Sequence, residues 1–166
     1  MFLDKLNDWI GRTVAWLTLA MVLVTVVVVV ARYGFRWGSI ALQESVTYMH
    51  ATVFMLGAAY ALKHDMHVRV DIFYRKMTAR TQAWVDFLGA LFLLVPTCVY
   101  IFWVSLDYVS AAWAVREGSR EAGGLPLVYV LKSLMPAAAV LLLLEGTLLA
   151  VRRARQILGR EAPCQD

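Results

Sequence analysis

The stretch VLVTVVVVVA, residues 22–31, holds ten residues without a charge and with one hydroxyl group. It lies within a longer uncharged run, residues 13–31, which approaches the roughly 20 residues that a helix needs to cross the hydrocarbon core of a bilayer. Valine is a poor helix former in water, but in lipid the backbone must satisfy its own hydrogen bonds, so the run is predicted to be helical. The first membrane span is therefore assigned to residues 13–33.

The rest of the chain has the same character. Of its 166 residues 61% are hydrophobic and 17% are charged, whereas soluble domains average about 45–50% apolar and about 25% charged residues. Three further segments are long and apolar enough to span: residues 40–62, 82–106 and 127–151. The prediction is a single all-α membrane domain over residues 1–166, built as a four-transmembrane-helix bundle.

The positions of the cations predict the orientation of these spans, because cytoplasmic loops are enriched in Lys and Arg. Placing both termini in the cytoplasm puts eleven of the 16 Lys and Arg residues inside. These eleven are Lys5, Arg12, Lys63, Arg69, Arg75, Lys76, Arg80, Arg152, Arg153, Arg155 and Arg160. The predicted location is a bacterial inner membrane, with the N- and C-termini cytoplasmic.

Two segments are predicted to lie on the membrane surface. Residues 2–10 place Phe2, Leu6 and Trp9 on one helical face, which indicates an amphipathic N-terminal helix. Residues 71–81 indicate a short interfacial cytoplasmic helix, with Asp71 as its N-cap and cations facing lipid headgroups. The tail from about residue 156 to residue 166 is predicted to be disordered.

Histidines are the first candidates for a metal or cofactor. His64 and His67 have a spacing seen in metal sites, but Lys63 and Arg69 flank them and no third strong ligand is fixed, so a headgroup-contacting turn is preferred. His50 lies near the middle of the second span, where a haem-binding anchor would place an axial ligand. A second histidine inside the spans is missing, so a neutral His50 hydrogen-bonded between helices is preferred. We expect no cofactor and no metal; a haem-binding electron-transfer anchor is the alternative.

Other function classes find little support. The sequence shows no Ser/His/Asp set, no phosphate-binding loop and no paired carboxylates, so no enzyme activity is expected. It has no basic face on a soluble fold, which argues against nucleic acid. Ionisable residues lie toward the ends of the spans, and Glu44 is expected near Arg32 and Arg36. A solute-coupled carrier normally keeps a charge near the membrane centre, so the chain alone is not expected to be a pump. The step from Gly57 to Ala61 favours helix–helix contact.

Three stretches carry a resemblance to a known family. They are ARYGFRWGSIALQES (residues 31–45), GAAYALKHDMHVRVD (residues 57–71) and EGSREAGGLP (residues 117–126). Together with the four spans they resemble the small membrane subunit, DctQ-like, of tripartite ATP-independent periplasmic (TRAP) transporters. The most specific piece is His67-Val-Arg-Val-Asp71. One departure is Gln43-Glu44, where that family often has two adjacent acids.

The resemblance implies a heteromeric, sodium-coupled importer of organic acids. A larger multi-span permease subunit (DctM-like) would carry the transport sites, a periplasmic substrate-binding protein (DctP-like) would deliver substrate, and the small subunit would be a scaffold. The positions that match the family's motifs are candidates for structural or subunit-interface roles: Arg32, Trp37, Glu44, His67 and Asp71. The candidates for docking of the periplasmic protein are Glu117, Ser119 and Pro126.

Overall fold

The computed structural model describes residues 2–64, 66, 74 and 76–159, and within them it contains helices and no strands. The all-α prediction is therefore confirmed for the described residues. The helices are α1 (Phe2–Gly34), α2 (Ile40–Lys63), α3 (Ala79–Gly89), α4 (Val95–Ala114) and α5 (Val128–Ile157). A π-helical turn, Ala90–Leu94, joins α3 to α4, so that Ala79–Ala114 forms one continuous rod, the third rod below.

Three of these rods are long and apolar enough to cross a membrane within the described residues: Asp8–Gly34, Ala79–Ala114 and Val128–Ile157. They confirm that the predicted first, third and fourth spans are helices of membrane-spanning character. Helix α2 has 24 residues, a sufficient length, but it carries Gln43, Glu44 and His50 and is less apolar than the others. Its passage through the membrane, and with it the count of four spans, stays a prediction.

The helices form an open layer. Helix α1 packs against α2, α2 against α5, and α5 against the third rod. Within the described residues α1 and the third rod each have one extensive neighbour, whereas a closed bundle would give each of them two. The order across the layer is therefore α1, α2, α5 and the third rod, which differs from the bundle predicted from the sequence.

Small side chains fill the contacts between the helices. Seven of the nine buried hydrophobic residues are alanines: Ala59, Ala83, Ala90, Ala112, Ala138, Ala139 and Ala150. Small residues let helix backbones approach closely, which is how helices associate when lipid removes the hydrophobic drive between them. The large apolar side chains point away from the layer; Trp103, for example, is 74% exposed.

The π-helical turn has a local cause. Pro96 follows it, and a proline inside a helix removes one backbone donor and crowds the preceding turn. A π-helical turn is one way in which a helix accommodates such a break. Gly146 of α5 faces this turn, and a Cβ atom there would lie 2.6 Å from Leu94 Cδ2. The glycine lets the third rod approach α5 at this point.

The predicted surface segments are only partly described. Residues 2–10 are helical and continue without interruption into α1, while their position relative to a membrane surface stays a prediction. In the described part of residues 71–81, α3 begins at Ala79 with Thr78 as its N-cap; Asp71, the predicted cap of a surface helix, lies outside the described residues. Helix α5 includes Gln156 and Ile157, which had been assigned to a disordered tail.

Candidate functional site: two polar clusters that tie the helices together

Glu44 organises one end of the layer. Its carboxylate accepts a hydrogen bond from the Ser119 hydroxyl group and another, 2.6 Å long, from the backbone N–H of Leu125. Ser119 is 75 residues away in the sequence, in the connection between α4 and α5. We call Glu44, Ser119 and Leu125, with the ion pair described next, the Glu44 cluster. The cluster attaches that connection to the second turn of α2.

An ion pair extends this cluster to α5. The Lys132 ammonium group, in the second turn of α5, pairs with the Glu117 carboxylate just beyond α4. The same ammonium group lies 3.9 Å from the centre of the Tyr108 ring, in a cation–π arrangement. Both contacts hold the end of α4 against the start of α5.

The connection itself, residues 117–126, is folded back on its own backbone. The N–H of Ser119 donates to the carbonyl of Leu125 over 3.0 Å, and the N–H of Gly124 donates to the carbonyl of Glu121 over 3.0 Å. A Cβ atom on Gly124 would lie 2.8 Å from Glu44 Oε1, so the backbone can approach the carboxylate only because a glycine stands there.

Aromatic contacts brace the same end. The Trp113 indole N–H donates to the Ser133 hydroxyl group over 2.8 Å. The Trp113 ring meets Tyr129 edge-on, with ring centres 4.6 Å apart. Both partners of Trp113 lie in α5, so the indole adds a second link between α4 and α5.

A second set of polar contacts lies at the opposite end. Asp8 of α1 lies 2.7 Å from Lys63 Nζ and 3.1 Å from His64 Nε2, at the end of α2. The Tyr60 and His64 rings have centres 4.2 Å apart. These contacts join the beginning of α1 to the end of α2. We call them, with the pair described next, the terminal cluster.

The third rod is attached to α5 at this same end. Asp86 lies 3.0 Å from Arg153 Nη2 and accepts a 2.8 Å hydrogen bond from the Tyr74 hydroxyl group. Glu145, whose side chain is buried, lies 3.9 Å from Arg152 Nη1. A buried carboxylate needs such a counter-charge, because desolvation without one is costly. The terminal cluster therefore spans all four rods.

The structure brings some of the predicted residues together and separates others. Glu44, Ser119 and Glu117 belong to one cluster, with the exposed Pro126 next to it. Arg32 is exposed at the end of α1, and Trp37, 55% exposed, donates its backbone N–H to Ala31. His67 and Asp71 lie outside the described residues.

The partners of Glu44 differ from the expected ones. The sequence placed Arg32 and Arg36 within reach, but the structure gives the carboxylate Ser119 and the Leu125 N–H instead. The Lys132–Glu117 pair was also missed. The available signal was their opposite charges on either side of one short connection, at residues 117 and 132.

Metal or haem binding gains no support from the described residues. They contain no group of three or more His, Cys, Asp or Glu side chains placed to hold a metal ion. His64 contacts Asp8, and its predicted companion His67 is not described. His50 was expected to hydrogen-bond between helices; it is exposed on α2, where its ring stacks near Phe54 at 6.4 Å.

The comparison with protein families gives one match. The family model described as tripartite ATP-independent periplasmic transporters, DctQ component, matches residues 21–156. The match begins inside α1 and ends at the penultimate residue of α5, so it includes all the rods and the Glu44 cluster. No curated protein matches the sequence.

Proposed function

Because the chain belongs to the DctQ component family of tripartite ATP-independent periplasmic transporters, we propose that it is the small permease subunit of a sodium-coupled importer of organic acids. In this proposal it lies in the inner membrane with both termini in the cytoplasm. A DctM-like large permease subunit provides the sodium and substrate sites, and a DctP-like periplasmic protein delivers the substrate.

The role proposed for the chain is that of a scaffold. The observation that carries this role is the open layer of rods, tied together by polar clusters at both ends. The layer exposes broad apolar faces, including α1 residues such as Leu23, 58% exposed, and third-rod residues such as Phe92, 66% exposed. An arrangement held at both ends can remain in place while a neighbouring subunit moves against it.

The connection over residues 117–126 is the proposed docking point for the periplasmic binding protein. In the proposed topology it faces the periplasm. Glu44 and Lys132 hold its backbone and its first carboxylate in place, while Arg120, Glu121 and Pro126 are exposed. A preorganised surface loses less conformational entropy when it binds a partner than a mobile one does, which suits a repeated docking event.

A reconstitution experiment tests this function. Proteoliposomes that contain this chain alone, with an inward sodium gradient and a panel of radiolabelled organic acids, are expected to show no uptake above empty liposomes. Adding the large subunit and the periplasmic binding protein is expected to produce uptake that collapses when sodium is equalised across the membrane. Sodium-driven uptake by the chain alone, or full activity of the other two components without it, would refute the scaffold role.

A further inference from the structure

One face of α2 carries polar side chains that point away from the rest of the chain. Gln43, Thr47, His50 and Phe54 are all exposed, and their spacing of four, three and four residues places them in one line along the helix. We call this line, continued by Gly57, the α2 stripe. Helices α1 and α5 pack against other sides of α2, as the contacts of Tyr60 with Gly11 and of Glu44 with Leu125 show.

The polar groups of the stripe are not satisfied within the described part of the chain. The hydroxyl groups of Thr25 and Thr52 donate to their own helix backbone at 2.7 and 2.8 Å, but no such bond is formed by Thr47. Nor do the Gln43 amide and the His50 ring find a hydrogen-bonding partner among the described residues; the recorded neighbour of His50 is the Phe54 ring.

Lipid is a poor occupant for this face. Hydrocarbon offers no donor or acceptor, so polar side chains within a membrane normally face a protein interior or a partner. The outward faces of the other rods are apolar, for example at Val26 and Leu93, whereas the polar residues of α2 make it the least apolar rod of the layer.

Gly57 adds an independent observation. A Cβ atom built on this residue would meet nothing within 4 Å, so packing inside the chain does not require a glycine here. With Ala61 one turn further on, it leaves a shallow depression beside the polar line. Two small residues four apart let a second helix approach closely, and a nearby hydrogen bond adds to such a contact.

We propose that the α2 stripe is the docking seam for one transmembrane helix of the large permease subunit, and that this helix brings an acceptor or donor to His50 and Gln43. This inference rests on the proposed function, and it specifies which face of the scaffold the partner covers. A carboxylate, amide or hydroxyl group on that helix satisfies the imidazole, while a small residue on it fits opposite Gly57. The large subunit is the occupant because the family assembles from several components, so a membrane partner is available.

Photo-crosslinking tests the location of the seam. Phe54 is replaced by the photoreactive amino acid p-benzoylphenylalanine in the full chain, co-expressed with its large subunit in native membranes. Phe54 is 70% exposed, so the substitution changes little inside the chain. The expected result is an adduct with the large subunit, identified by mass spectrometry. An adduct with a second copy of this chain, or with lipid only, would overturn the seam.

A matched pair of glycine variants provides the second test. Gly57→Leu and Gly89→Leu both place a large side chain in open space, because a Cβ atom at either position meets nothing within 4 Å. Gly57→Leu is expected to lower the amount of large subunit co-purified with the tagged chain by roughly tenfold, because overpacking prevents close approach. Gly89→Leu is expected to leave it unchanged, and gel filtration checks that both variants fold.

The polar part of the seam is tested at His50. His50→Leu is expected to weaken retention of the large subunit, and His50→Gln to restore part of it, because the amide can replace one hydrogen bond. Equal retention in wild type, Gly57→Leu and His50→Leu overturns the seam and leaves the proposed function intact. A wild-type chain that retains no large subunit defeats the proposed function and the seam together.

Discussion

Replacing Gly11 by alanine should loosen the attachment of α1 to the remaining helices. Helix α1 has α2 as its one extensive neighbour, and Gly11 is where the Tyr60 ring presses against it. A Cβ atom on residue 11 would lie 2.5 Å from Tyr60 Cγ and 2.9 Å from Cε2. The ring cannot turn aside freely, because it also packs on His64 with ring centres 4.2 Å apart.

The size of the effect follows from the overlap. Carbon atoms pack at about 3.5–4.0 Å, so the ring and α1 must separate by roughly 1 Å or more. Overpacking of this kind costs about 1–3 kcal/mol. Alanine recovers about 0.5–1 kcal/mol relative to glycine in a helix interior. The expected net destabilisation is about 1–2 kcal/mol, which lowers the Tm of a chain of this size by about 2–8 °C.

Thermal unfolding in a mild detergent, followed by circular dichroism or by an engineered fluorophore on α1, measures this change. Gly89→Ala is the matched control, because its new methyl group meets nothing within 4 Å and should raise or preserve the Tm. If Gly11→Ala matches or exceeds the stability of Gly89→Ala, α1 does not pack on Tyr60 as described, and the reasoning fails.

Two further predictions address the Glu44 cluster and the topology. Glu44→Ala removes the acceptor of the Leu125 N–H and of the Ser119 hydroxyl group, so amide hydrogen exchange across residues 117–126 should become faster. Glu121→Ala, at an exposed position in the same connection, should leave exchange unchanged, and equal protection in both variants would count against the anchoring role of Glu44. The cation distribution predicts that alkaline phosphatase fused after Asp166 is inactive and that the same enzyme inserted after Glu121 is active. The reverse pattern would invert the orientation of the whole chain.

The membrane class and most of the helix positions are predictable from the sequence because they depend on local composition. An apolar run such as residues 13–31 leaves lipid as the solvent and the helix as the backbone conformation. The predicted spans correspond to observed helices, although α5 extends past residue 151 to Ile157. The role of Glu44 as a charged group at one end of α2 was also predictable, because a carboxylate near the membrane edge has few low-energy alternatives to a polar partner.

What the sequence by itself determined was therefore the kind of protein, the extent of its rods and a candidate connection at residues 117–126. Only the tertiary structure decided that Glu44 binds Ser119 and Leu125, that the rods form an open layer, and that His50 faces outward. The physical reason is that a helix apolar on most sides carries little information about its rotation. Its facing is set by small residues such as Ala59 and Gly146, whose fit depends on neighbours that are distant in the sequence.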